Sequence, residues 1–194
     1  MIAPRLLLID NIDSFTFMLA DALGVAGADV IVARSDALDV THAMEVGRDG
    51  IVISPGPGGP GEAGISVALA AACVEQGRPL LGVCLGHQAL GVACGALIGR
   101  VAPMHGKIAA VEHDGSELFA GVPSPFEATL YHSLAVSDLP EALIASAWSG
   151  DGVVMAMRHR SVPAYGVQFH PESIATPHGP AIIAAFVAAA REGA

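Results

Sequence analysis

Basic residues are scarce in this sequence. Nine Lys and Arg stand against nineteen Asp and Glu, for a formal net charge of -10. Nucleic-acid binding requires a basic face to neutralise phosphates, so this balance argues against it. Cysteine is scarce as well: Cys73, Cys84 and Cys94 are odd in number and contain no Cys-x-x-Cys pair. A disulfide framework is therefore not expected, and a reducing, cytoplasmic setting is. The eight histidines show no His-Glu-x-x-His or related ligand spacing, so no metal site is expected. Hydrophobic residues make up 53% of the chain, yet no apolar run approaches a membrane span, and Met1 to Arg5 lacks the layout of a signal peptide.

What is present is a regular alternation. Arg5 to Asp10, "RLLLID", is a continuous apolar run of the kind buried on both faces of a parallel sheet. A helix is predicted to follow, N-capped by Ser14, with Phe15, Met18, Leu19 and Leu23 at helical spacing and Gly27 as its stop. Strand and helix then alternate: Ala28 to Ser35, Asp36 to Val46, Gly50 to Pro55, Gly64 to Gly77, Pro79 to Cys84, Leu85 to Gly95. This is the pattern of βαβ units. The second half changes character. "KIAAVEH", "EATLYHSLAVS", "ALIASAWS", "GVVMAMRH" and "AYGVQF" read as short strands adding antiparallel to the sheet, and "GPAIIAAFVAAARE" as a closing helix. One open α/β domain over residues 1–194 is expected, its mostly parallel sheet covered by helices on both faces.

Ligands in such sheets bind beyond the carboxyl ends of the strands. Three segments are predicted there: Asp10-Asn11, the stretch "SPGPGGPGEAG" from Ser54 to Gly64, and Cys84. In "GVCLGHQ" the cysteine stands between two glycines at a strand–helix junction, the layout of a nucleophile elbow. A helix N-terminus there favours thiolate. The alternative is a small core residue, which is the reading for Cys73 and Cys94 inside apolar helices. A cysteine nucleophile needs a base and profits from a group that orients the base. In "GVQFHPES", His170 and Glu172 are two apart and share one side of an extended segment. His132 in "LYHSL" is a rival base on the residues alone, and His87 a poorer one because it lies in the helix that Cys84 opens. The glycine-rich stretch lacks the Lys-Ser/Thr of a P-loop, so nucleotide binding is not supported. Prolines 55, 57 and 60 have no N–H, so only glycines can donate there. One glycine N–H opposite that of Leu85 would make an oxyanion hole, the alternative being a plain surface turn.

Together "GVCLGHQALG", "SPGPGGPGEAG" and "GVQFHPES" resemble the class I, triad-type glutamine amidotransferases. "LLLIDNIDSFTFMLAD", "MHGK", "YHSL" and "FHPESIATPHG" resemble their chorismate-linked branch, and the likeness runs from about Leu6 to Gly179. The resemblance implies a flavodoxin-like fold and hydrolysis of glutamine through a cysteine thioester. It implies Cys84 as nucleophile, His170 rather than His132 as base and Glu172 as its partner. Gly56 and Leu85 are implied as oxyanion donors, and Pro55, Gly56, Pro57, Gln88, Ser133 and Leu134 as glutamine contacts. Ammonia would pass to a chorismate-using synthase subunit docked near Asp10-Asn11 and Met104 to Lys107. No cofactor is expected on this chain, and magnesium is expected on the synthase. The tryptophan branch is the reading adopted, with the folate branch, a non-catalytic regulatory subunit and a free-standing cysteine hydrolase as alternatives. The family usually carries Arg before "YHSL"; Leu130 stands here and forgoes whatever polar contact that arginine makes.

Overall fold

The computed structural model describes residues 2–193. The run Leu6, Leu7, Leu8, Ile9 is wholly buried, because β1 (Arg5–Asp10) lies inside the sheet with helices on both sides. Its alternate side chains serve two cores. Leu6 and Leu8 pack with Leu19 and Leu23 of α1 (Thr16–Val25) and with Ile182, Ile183 and Phe186 of α5 (Gly179–Glu192). Leu7 and Ile9 pack with Ala43 and Met44 of α2 (Val40–Val46), Leu69 and Cys73 of α3 (Ser66–Gln76) and Leu90 of α4 (Leu85–Ala93).

The remaining strands are β2 (Asp29–Arg34), β3 (Gly50–Ile53), β4 (Leu80–Val83), β5 (Leu97–His113), β6 (Phe126–Ser137), β7 (Leu143–Ser149), β8 (Val154–His159) and β9 (Ala164–Val167). They form a nine-stranded sheet in the order β2-β1-β3-β4-β9-β8-β7-β5-β6. The first five in that order are parallel and the rest join antiparallel. The mixed α/β class with helices on both faces is as the sequence predicts.

Four local expectations are corrected. The "AYGVQF" strand is not simply an antiparallel addition: β9 runs parallel to β4, with Leu80 opposite Ala164 and Val83 opposite Val167, and antiparallel to β8. It is the joint between the two halves of the sheet. β5 begins ten residues before Lys107. Gly99, Pro103 and Gly106 disguise it in the sequence; Gly99 pairs regularly with Ala135, and the strand absorbs Pro103 and Gly106 at register shifts between Arg100 and Met104 and between His105 and Lys107. Ser14 does not cap α1; Asp13 Oδ1 accepts the Phe15 N–H at 2.8 Å, and Met18 is exposed. α2 is shorter than predicted, starting after Asp39, whose carboxylate accepts the His42 N–H at 2.8 Å.

The junction of β4 and α4 depends on two missing side chains. A Cβ on Gly82 would collide with the carbonyl of Gly86, and a Cβ on Gly86 with the carbonyl of Ile53 at the end of β3. Neither collision involves a flexible side chain that could yield. Gly82→Ala and Gly86→Ala should each lower the unfolding free energy by about 3 kcal/mol or more in urea titrations. Gly24→Ala, at an exposed helical position with nothing within 4 Å, should raise it by up to about 1 kcal/mol. Equal effects at all three positions would refute this account of the junction.

Candidate active site

Cys84 follows β4 and opens α4 with φ 51 and ψ -97, a backbone conformation that L-residues avoid. Two hydrogen bonds hold it there. Its N–H donates to the Val167 carbonyl at 2.8 Å, and its carbonyl accepts the Gln88 N–H at 3.2 Å. The result is a side chain at the carboxyl end of the parallel strands, facing the positive end of the α4 dipole. The thiol lies 3.9 Å from the Tyr131 carbonyl of β6, and Gln168 Nε2 donates to the sulfur at 3.5 Å.

His170 and Glu172 come together as predicted, but by another route. They do not share a strand face: β9 has ended at Val167, and a turn over Pro171 and Glu172 brings the carboxylate back to the ring. His170 Nδ1 and Glu172 Oε1 are 2.6 Å apart, with the two side chains only 2% and 0% exposed. The turn is tied down by backbone and hydroxyl bonds. The His170 N–H donates to the Thr129 carbonyl at 3.0 Å, and Thr176 Oγ1 donates to the His170 carbonyl at 2.8 Å. The Thr129 N–H donates to Thr176 Oγ1 at 3.0 Å. Phe15 and Tyr131 pack on the imidazole, with ring centroids 5.1 and 5.7 Å away.

Burial works against a charged His170, but Cys84 and Glu172 outweigh it and raise the pKa from its ordinary 6.5 to about 10. Nε2 meets no partner within strict hydrogen-bond geometry; Cys84 raises the pKa by hydrogen bonding and charge from close by. The rival histidines are held differently. Burial pushes His132 down, and because a backbone carbonyl can only accept, its Nδ1 must carry the proton donated to Leu134 at 3.1 Å. His87 is fully buried against Gly166 and pushed down to about 4.

A cleft of about 180 Å³ adjoins the thiol, lined by Gly56, Pro57, Gly58, Cys84, Leu85, Gln88, His105, Tyr131, His132, Ser133 and Leu134. It is smaller than a typical drug-sized site and suits a small metabolite. Of the residues expected here, Gly56, Pro57, Gln88, Leu85, Ser133 and Leu134 line the cleft. Pro55 does not; it is buried behind the turn, where its carbonyl accepts from Ser54 Oγ. Gly56 sits against Asn11 Cβ and Leu85 Cδ2, with 2.6 Å from each to where a Cβ would lie. The first N–H groups of α4 lack intrahelical acceptors and so remain available to a ligand.

Asn11, expected at a docking surface, is 5% exposed and serves the fold. Its N–H donates to Ser54 Oγ, its Nδ2 to the Ser54 carbonyl, and its Oδ1 accepts from Ser66 Oγ. It thereby fastens the glycine-rich turn to β1 and α3. Met104 to Lys107 is exposed or partly so, as a docking segment would be. Cys73 is buried beside Met44, and burial pushes its thiol up to about 12. Cys94 is half-buried at the C-cap of α4, outside the helix proper. Leu130 lies wholly in the core. Among the described residues no group of His, Cys, Asp and Glu could hold a metal ion, and no helix is long and apolar enough to cross a membrane.

Sequence reading missed Gln168, Phe15 and Tyr131 as neighbours of the reacting groups. Gln168 was within sight, two residues before His170; Phe15 carries no polar signature that distinguishes it from core, and nothing local ties the Tyr131 ring to His170. The assembled geometry is a thiol at a strained turn, a buried imidazole–carboxylate pair and backbone donors around one cleft. That set can perform acyl transfer through a thioester.

The model of the family described as glutamine amidotransferase class-I matches residues 7–190. Anthranilate synthase component 2 of Thermus thermophilus is 48% identical over 190 residues, covering 94% of this chain and 91% of that protein. Aminodeoxychorismate synthase of Streptomyces griseus is 50% identical over 185 residues, covering 94% of this chain and 25% of that protein. A solved structure from Thermoplasma acidophilum superposes with a TM-score of 0.88 at 23% identity, covering 99% of this chain and 96% of that one, and shares the fold.

The raised pKa of His170 links the site to stability. A base whose folded pKa exceeds its unfolded value stabilises the fold fully below the unfolded value, and loses that contribution as pH rises through the folded one. The window here runs from 6.5 up to about 10. Glu172→Gln weakens the imidazolium, so the gap in urea midpoint between parent and variant should be full at about pH 6.5 and narrow steadily toward pH 10. A gap that is constant across this range would contradict the ion-pair description.

Proposed function

The chain belongs to the class I glutamine amidotransferases, and on that premise we propose that it is the glutaminase subunit of anthranilate synthase. The observation that carries the reading is the Cys84–His170–Glu172 constellation beside the cleft, in a chain 48% identical to an anthranilate synthase component 2.

In this reading Cys84 Sγ attacks the side-chain carboxamide carbon of glutamine. His170 Nε2 holds the thiol proton and delivers it to the leaving nitrogen, so the carbon–nitrogen bond breaks and ammonia departs. Glu172 keeps the ring in the Nδ1–H tautomer and stabilises its charged form. The N–H groups of Gly56 and Leu85 receive the negative oxygen of the tetrahedral intermediate. Water then opens the thioester, giving glutamate and the free thiol. Pro57, Gln88, Ser133 and Leu134 shape the pocket for glutamine, and Pro55 supports the turn from behind.

Ammonia passes to a chorismate-using component 1 that docks over the mouth of the cleft, against Met104 to Lys107. This chain needs no cofactor of its own, and magnesium belongs with the synthase. A reducing cytoplasmic setting suits three free thiols. A second reading has the same chemistry feeding aminodeoxychorismate synthase; the 50% identity to that enzyme's amidotransferase-like quarter favours it.

Mixing the chain with a component 1 and following anthranilate tests the proposal. Cys84→Ala should lower glutamine-dependent synthesis by at least about a thousandfold while added ammonia still supports it. Formation of aminodeoxychorismate with the native synthase, and never of anthranilate, would move the chain to the folate branch. Among the candidate bases, His170→Ala should reduce glutaminase turnover far more than His132→Ala, with Glu172→Gln between them. The reverse order of the two histidines would reassign the base.

A further inference from the structure

The sulfur of Cys84 and the glutamine cleft are joined by an unbroken run of side-chain amides. The run starts at a group whose polarity is beyond doubt. The Leu134 carbonyl can only accept, so the end of the Gln88 carboxamide 3.1 Å from it is the NH2. That same Nε2 donates to Gln168 Oε1 at 3.2 Å. With its oxygen committed to Gln88, Gln168 has only its NH2 left for the sulfur, at 3.5 Å. Rotating the Gln168 amide by half a turn would set two NH2 groups against each other. A backbone carbonyl on β6 thus dictates, through two glutamines, that Cys84 meets a donor. Gln168 and Gln88 are 0% and 3% exposed, so water does not compete for these bonds.

We infer that Gln168 is a positioning residue that favours the thiolate of Cys84 and points its thiol proton away, held in the required orientation by Gln88 and the Leu134 carbonyl. A hydrogen bond from an amide N–H to sulfur is charge-assisted once the sulfur is anionic, and weak while it is a thiol. It therefore stabilises the reactive form more than the resting one. His170 Nε2, which must receive the proton, has no partner of its own. Gln88 keeps a buried, unpartnered Oε1 at the cleft, so a ligand N–H that binds there polarises the same amide that orients Gln168. The titratable groups facing Cys84 are His170, backed by Glu172, from the segment after β9, with His132 of β6 and His105 of β5 across the cleft. Among the described residues the one side-chain N–H bonded to the sulfur comes from Gln168. The inference rests on the reading of Cys84 as the nucleophile.

The test measures iodoacetamide alkylation of the Cys84 peptide against pH in the full chain, resolved by mass spectrometry from Cys73 and Cys94. Gln168→Met keeps the length and removes the donor. Gln168→Glu replaces the donor by an acceptor that opposes the thiolate. Both should move the alkylation midpoint upward, by about one pH unit for Gln168→Met, which lowers alkylation by about tenfold at any pH well below the midpoint. The shift should be larger for Gln168→Glu. Gln88→Leu frees Gln168 to rotate and should move the midpoint the same way by less. A merely structural role would lower the thermal midpoint and leave the pH profile in place, and an unchanged profile in a folded Gln168→Met overturns the inference even if Gln168→Glu does not fold. The readout uses no glutamine. A parent chain that alkylates at low pH but hydrolyses no glutamine would sink the functional reading and leave this one standing.

Discussion

The site hangs on the close approach of the first turn of α4 to the ends of β3 and β4. The backbone of Gly86 presses on the Ile53 carbonyl, and Gly82 leaves room for the Gly86 carbonyl to fold back over it. Packing this tight leaves Cys84 one conformation, with φ at 51. The energetic cost of that conformation is borne by the Cys84 N–H bond to Val167 and by the fully buried Leu80, Leu81 and Val83 of β4. A looser junction would let the cysteine relax into ordinary helical geometry and withdraw its sulfur from the cleft. Asn11 extends the same constraint to the glycine-rich turn, tying it to β1 and α3 so that Gly56 stands against Leu85.

The second half of the site arrives through β9. Because β9 lies parallel and next to β4, the residues that leave its end pass the cysteine at close range. Gln168 reaches the sulfur, and two residues later His170 is held by Thr129 and Thr176. Burying a histidine with a carboxylate costs desolvation of both charges, and such a pair is a poor source of stability by itself. Its value lies in precise placement. Phe15 and Tyr131 exclude water from the imidazole, and the low dielectric strengthens each remaining interaction. α1 illustrates the division of labour: its Leu19 and Leu23 build the core, while Phe15, just before the helix, covers His170.

Much of the fold was legible because its signals are local. Apolar runs such as Leu6 to Ile9 mark strands buried on both faces, and Gly27, Gly77 and Gly95 punctuate the helices. β5 was half hidden because glycine and proline usually end strands, and here bulges accommodate them through pairing with β6 that no local rule can see. Ser14 has the residue type of a cap, yet the helix starts two residues later, with Phe15 at the N-cap and no side-chain cap, while Asp13 closes a tight turn onto the Phe15 N–H. Asn11 has a polar side chain at a strand end, which suggests a surface role, but three hydrogen bonds to distant serines hold it inside.

The sequence by itself determined the α/β class, the elbow around Cys84, the pairing of His170 with Glu172 and the motifs that mark the family. Each is a matter of residue types at short spacing. Only the tertiary structure decided how these pieces meet. It set β9 beside β4, turned Glu172 back onto His170 where a strand was expected, and removed Pro55 from the cleft. It also fixed the polarity of Gln88 and Gln168 from a carbonyl on β6, 34 residues from one glutamine and in the opposite direction from the other. The physical reason is range: propensity and spacing act over a few residues, whereas hydrogen-bond polarity and close packing are settled between strands that the chain joins only after long excursions.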